Sequence, residues 1–274
     1  MVHSNGSNTP TFEIDFVAVV GETPRSPLTS EWQGIYRRYG RAFFENSSFH
    51  IRDVGKAQQN YTLHSFGTTS RAGRLAYRTV VFPQSLEKSI WIVDVDQVSF
   101  VPLYAAEFDS NCRFLSEVEV ESITFGQVSS FAPAPPAGGA PVIHPTFSAA
   151  SAFLGDPPGL VDPLVNLGGD YVLDTIVTKV DPLNARQRVV TTYTDGIDRF
   201  TIAQVPNAAD VFADVRAMNK SGPVGHTIGR YRDASVSMLL FWEGGVAFQV
   251  TGKGSLQRLD DVAKSLYLQA LSSN

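Results

Sequence analysis

The residues of this chain that could do chemistry are few and scattered. Five histidines, His3, His50, His64, His144 and His226, are spread along the sequence. No two stand at metal-ligand spacing and none lies in an HExxH context, so each reads as an ordinary surface or half-buried residue. Ser85 and Lys88 have the spacing of a serine–lysine nucleophile pair, without the companion motifs of that chemistry. There is no G-x-S-x-G elbow. Gly252-Lys-Gly254-Ser lacks the Gly-Lys-Ser/Thr that completes a phosphate-cradling loop and reads as a tight strand-to-helix turn. Asp94 and Asp96 share one strand face and could form an acid pair. Nothing in the pattern sets a substrate beside them, so they read as exposed or turn carboxylates. Glu117, Glu119 and Glu121 fall on one face of a later strand, where water screens like charges; a divalent cation is the alternative, with no further ligand nearby in sequence. Cys112 is the single cysteine, which excludes a disulfide within the chain, and it reads as a small hydrophobe near a turn. No catalytic residue, metal site or cofactor is expected.

Aromatic side chains are the remaining candidates. Phe43, Phe44, Trp91, Phe100, Tyr104 and Phe108 crowd the first half of the chain. A curved sheet with an aromatic-rich concave face holds an apolar ligand, and the same residues also suit an ordinary core. On the first reading Phe43, Phe44, Trp91, Phe100 and Tyr104 are the candidate ligand contacts.

The elements that must position these residues are mostly strands. TFEIDFVAVVG alternates from Phe12 onward, and 31–46 favours strand over helix because aromatics are frequent and Gly34 and Gly40 weaken a helix. Residues 60–84 read as two strands around a Gly/Thr/Ser turn, and 89–126 as three more. Residues 127–160 hold seven of the sixteen prolines and one charge, Asp156. This stretch reads as a linker, part extended and part loop, lying along a domain surface through Phe131, Phe147 and Phe153. Beyond it, 171–180 and 186–205 form a meander with a hairpin signal at Asp195-Gly196. Residues 207–222 carry one apolar helical stripe, 235–251 turn at Glu243-Gly244-Gly245, and 256–271 form a closing amphipathic helix.

Composition bounds the function. At 274 residues with 43% apolar content there is material for one large or two ordinary domains. A net charge of −5 with no basic patch argues against nucleic acid. No apolar run approaches the roughly 18 residues that suggest a membrane-crossing helix. The first residues, MVHSNGSNTPTFEID, show no charged segment followed by an apolar one, so no signal peptide is visible.

Short motifs in both halves resemble the MucB/RseB family of sigma-factor regulatory proteins, within the lipoprotein-carrier-like superfamily. In the first half the matching positions are Ala72, Gly73 and Arg74 at a turn, then Pro83, Trp91, Asp94, Pro102 and Phe125. In the second they are Tyr193-Thr-Asp195-Gly196, and Val246 to Gly252 followed by the 256–266 helix. Together the two modules and their linker cover about two thirds of the chain; residues 1–60 match no motif. The resemblance implies an α+β fold of two domains, each a curved antiparallel β-sheet packed on few helices. Residues 1–126 would be the lipoprotein-carrier-like domain, 127–160 the linker and 161–274 the smaller domain. It implies a non-enzymatic, periplasmic or otherwise extracytoplasmic regulator of envelope stress. Such a protein binds the extracytoplasmic part of a membrane anti-sigma factor and senses a lipid-like ligand such as a lipid or lipopolysaccharide. A periplasmic lipid or lipoprotein carrier without a sigma-factor partner is the alternative. The motifs assign no partner-binding residue.

Overall fold

A computed structural model of the chain describes residues 49–85, 88–123, 140–163, 170–180, 186–207, 227–233, 235–253 and 256–272. The chain divides into two compact units, Met1–Phe44 and Glu45–Asn274, and every described residue belongs to the second. The strand patterns expected before residue 47, Phe43 and Phe44 with them, lie outside the described residues, as do Phe125, Phe131 and the 207–222 helix apart from Asn207.

Helix α1 (Val54–Asn60) opens the described chain, with the Asp53 carboxylate accepting the Lys56 N–H at 2.8 Å as its cap. Strands β1 (Tyr61–Arg71) and β2 (Arg74–Pro83) form a hairpin. Its turn lies at Ala72 and Gly73, with φ of 49° and 71°, the paired left-handed residues that a two-residue hairpin requires. Gly67, Thr68, Thr69 and Ser70 belong to β1. Gly67 (φ 86°) relieves a register shift between Ser65 and Thr68 there. Strands β3 (Ile90–Asp96), β4 (Pro102–Phe108) and β5 (Phe114–Glu119) follow as expected, and the five pair antiparallel in sequence order.

The second sheet contains β6 (Val142–His144), β7 (Val172–Val180), β8 (Gln187–Thr194), β9 (Arg199–Val205), β10 (Thr227–Asp233), β11 (Val236–Glu243) and β12 (Val246–Lys253). Their order is β10-β11-β12-β9-β8-β7-β6, with every neighbouring pair antiparallel. The β11–β12 hairpin turns at Gly244 and Gly245, both at positive φ, as the sequence indicates. Helix α2 (Phe147–Phe153) buries Phe147 and Ala150 against Ile176 and Val189. Helix α3 (Leu256–Ser272) lays Leu259, Val262, Ala263, Leu266 and Ala270 on a face built from Phe200, Ile202, Leu239, Phe241, Phe248 and Val250. Full burial of each such Leu or Phe side chain stabilises the fold by roughly 1.5–3 kcal/mol. Two antiparallel sheets with three helices among the described residues make this an α+β protein.

The proline-rich stretch differs from its reading as extended chain and loop. Its proline-free run, Thr146–Leu154, forms α2 with Thr146 as cap, and Val142–His144 pairs with β7 as an edge strand. Alanines with a threonine ahead of them make a helix start, and a short edge strand tolerates prolines on both sides. Strand β10 had no clear signal in the sequence. No helix of the described residues is long and apolar enough to cross a membrane.

Candidate functional site

The site with the most unusual chemistry is the junction where the turn between β8 and β9 meets the first sheet. Asp195 and Gly196 form the hairpin that the sequence marks, with Gly196 at φ 109°. The Asp195 Oδ1 accepts the N–H groups of Ile197 (3.1 Å) and Asp198 (2.8 Å), which fixes the turn from within. The first sheet and α1 hold it from outside. The Gly196 carbonyl accepts the N–H of Arg52 at 2.8 Å and of Asp53 at 3.3 Å, and the Asp195 carbonyl accepts from Asn60 Nδ2 at 2.8 Å. A Cβ at residue 196 would overlap the Ala57 backbone nitrogen, so only glycine permits this approach. Ile197 enters a cluster with Tyr61, Val81, Trp91, Val93 and Ala105.

Around this peg lie five buried charged side chains. Lys88 Nζ contacts Asp195 Oδ2 at 3.0 Å and Asp170 Oδ2 at 3.3 Å, and Tyr61 Oη donates to the same Asp195 oxygen at 2.9 Å. Lys253, the last residue of β12, reaches Glu107 Oε1 at 3.0 Å and Asp198 Oδ1 at 3.7 Å. Its Nζ stands 3.9 Å above the centre of the Trp91 ring. Glu107 Oε2 accepts from Ser235 Oγ at 2.7 Å and Ser116 Oγ at 3.2 Å. Burial, together with the charges of Asp195 and Glu107 and against the pull of Lys253, pushes the Asp198 carboxyl up to about 7. Burial, and then Asp198 and Asp195, raise the Tyr61 hydroxyl far above its ordinary range. The Ser85–Lys88 spacing therefore carries no nucleophile: Lys88 is committed to carboxylates. Lys253 likewise turns inward instead of offering an anion site.

Phe100, Trp91 and Tyr104, the described candidate ligand contacts, stand apart. Trp91 is buried at the junction, 2% exposed. Tyr104 lies on the opposite face of the first sheet, under the Arg71 guanidinium at 3.9 Å, and its hydroxyl donates to Glu117 at 2.8 Å. Phe100 is in the β3–β4 connection, 71% exposed, at φ 58°. Asp94 and Asp96 are buried, contrary to their reading as exposed or turn carboxylates, because neighbouring arginines neutralise them. Asp94 is bridged by Arg71 at 2.8 Å and gripped by both Nε and Nη2 of Arg78 at 2.8 Å. Asp96 pairs with Arg74 and accepts the N–H groups of Val98 and Ser99. Burial alone would raise Asp94, but hydrogen bonds from Arg78 and Arg71 hold it below the usual carboxylate range. Glu119 pairs with Arg71 at 2.8 Å, and among the described residues no acidic or histidine cluster suits a metal ion. Cys112 is at a turn as expected but exposed instead of packed, at φ 58°.

Among the described residues, the Trp91 face of the first sheet is only partly covered. By register Leu63, Leu75, Tyr77 and Val118 share that face, and all four are exposed. Sequence reasoning missed Lys88, Glu107, Asp198 and Lys253 as a group. One signal was present: Glu107 falls in phase with the buried Leu103 and Ala105, a carboxylate on the apolar side of its strand.

The chain is similar to solved structures of MucB. The complex of Pseudomonas aeruginosa MucA/MucB matches at 16% identity and a TM-score of 0.49, over 78% of this chain and 67% of that one. MucB in complex with MucA(peri) matches at 16% identity and 0.47, over 78% and 70%. A crystal structure of MucB matches at 16% identity and 0.48, over 80% and 66%. No protein-family model and no curated protein sequence matches the chain.

Proposed function

We propose that the chain is a non-enzymatic envelope-stress regulator of the MucB/RseB type. In this reading it works outside the cytoplasm, binds the extracytoplasmic part of a membrane anti-sigma factor, and senses a lipid-like ligand. Its working modules are a lipoprotein-carrier-like domain within 1–126 and a second built on the seven-stranded sheet, which β6 and α2 join. The observation that supports the reading is where the resembling residues fall. Ala72 and Gly73 make the β1–β2 turn, Trp91 and Asp195-Gly196 make the junction, and Gly252 lies against the Phe200 ring, where a Cβ would collide.

The ligand is assigned to the open part of the Trp91 face, beside Leu63, Leu75, Tyr77 and Val118. These exposed apolar residues also suit the second reading, a lipid or lipoprotein carrier. Titration calorimetry separates the two. The probe is the extracytoplasmic segment of a membrane anti-sigma factor from the organism that makes this chain. A regulator forms a stoichiometric complex that an acyl-chain probe weakens. No binding of the segment, with co-purified lipid passing from the chain to an acceptor, overturns the regulator reading in favour of the carrier.

A further inference from the structure

The junction holds unequal numbers of opposite charges. Lys88 and Lys253 face three buried carboxylates, Asp195, Glu107 and Asp198. Asp195 is saturated by Lys88, Tyr61 and two backbone N–H groups. Glu107 takes Lys253 and two serine hydroxyls. Asp198 Oδ1 and Glu107 Oε1 both lack a hydrogen-bond partner, but Asp198 has the longer contact to Lys253, 3.7 Å against 3.0 Å. A carboxylate closed off from water without a full partner is the group that will take a proton.

We infer that this junction is a proton-operated latch: with Asp198 protonated the two sheets stay fastened, and with Asp198 ionised the uncompensated carboxylate drives them apart. The groups that face Asp198 come from every element around it. Lys253 comes from β12, Glu107 from β4, Asp195 from its own turn, Lys88 from the segment before β3 and Tyr61 from β1, its hydroxyl on Asp195. Tyr171, before β7, lies 5.6 Å from Lys88 Nζ and carries Arg258 of α3 at 4.8 Å. Burial, opposed by Lys253 and reinforced by Asp195 and Glu107, pushes Asp198 up to about 7, so the proton is released within the neutral range. In the opened junction Asp198 meets water and its ordinary acidity returns. Opening therefore becomes easier as pH rises from about 4 to 7, by up to about tenfold per unit, and levels off above. The opened state uncovers Tyr61, Trp91 and Ile197. The latch is independent of which partner or ligand the chain binds.

Hydrogen exchange of the full chain, corrected for the intrinsic rate at each pH, tests this. Peptides covering 49–61, 88–96 and 194–205 should open progressively faster from pH 5 to 7, while 259–272 in α3 stays unchanged and so excludes global unfolding. Asp198→Asn, which imitates the protonated acid, should stay closed across the range. Should that variant fail to fold, Asp198→Ser, which also removes the carboxylate, should likewise lack the rise between pH 5 and 7. Junction peptides that open no faster at pH 7 than at pH 5, or an Asp198→Asn chain that keeps the rise, would overturn the latch.

Discussion

At the scale of single residues, the fold depends on a few positions where chemistry and close approach coincide. Gly196 is the clearest. It combines a left-handed backbone with contact against α1, so any side chain both strains the turn and lifts it from its seat. Gly196→Ala should destabilise the chain by at least about 2–3 kcal/mol in chemical denaturation. A loss below about 0.5 kcal/mol would mean that the turn is not seated on α1. The Asp195-Gly196 hairpin was legible because that residue pair has little other use. Its seat was not, because the partners Arg52, Asn60 and Lys88 are distant in sequence and carry no common motif. Asp94 and Asp96 show the same limit. Their alternation was visible, but the arginines that bury them, at 71, 74 and 78, belong to the neighbouring hairpin, and pairing between strands is a matter of register.

At the scale of elements, the closing helix was the easiest to read. Its apolar residues repeat at helical spacing, and Leu259, Val262, Ala263 and Leu266 are buried as that spacing requires. Leu266→Ala should cost about 2–5 kcal/mol, because Leu266 is fully enclosed between helix and sheet and little can collapse into the space. Thermal denaturation checks this; a variant as stable as the parent would show that α3 packs loosely. Strands with alternating or β-branched residues were equally legible. Short elements were not: β6 has three residues and α2 seven, too few for periodicity to rise above the proline-rich background. Among the aromatics, the sequence could not separate core from surface. Trp91 is enclosed and Phe100 exposed, although both were candidates for one apolar site.

At the scale of the whole molecule, two sets of carboxylates make opposite demands on pH. Arginines hold Asp94 and Asp96 below the ordinary range, so their stabilisation is present above about pH 4 and lost as pH falls. Asp198 is raised, so its contribution is fullest below about pH 4 and is lost as pH rises to about 7. Stability should therefore peak near pH 4 and fall from there to about pH 7, and Asp94→Asn should flatten its acid side. Denaturation midpoints across pH 3 to 8 check the shape; a curve that rises steadily to pH 8 would contradict it. The peg, the two lysines and their carboxylates join the two sheets, and the first sheet carries exposed apolar residues on its Trp91 face. The proposed regulator needs both features, one to set how the modules meet and one to receive a ligand. Native mass spectrometry of the full chain, alone and mixed with the extracytoplasmic anti-sigma segment, tests that account most directly. The account predicts a one-to-one protein complex that dissociates when an acyl-chain probe is added. A chain that keeps bound lipid and forms no complex with the segment would contradict it.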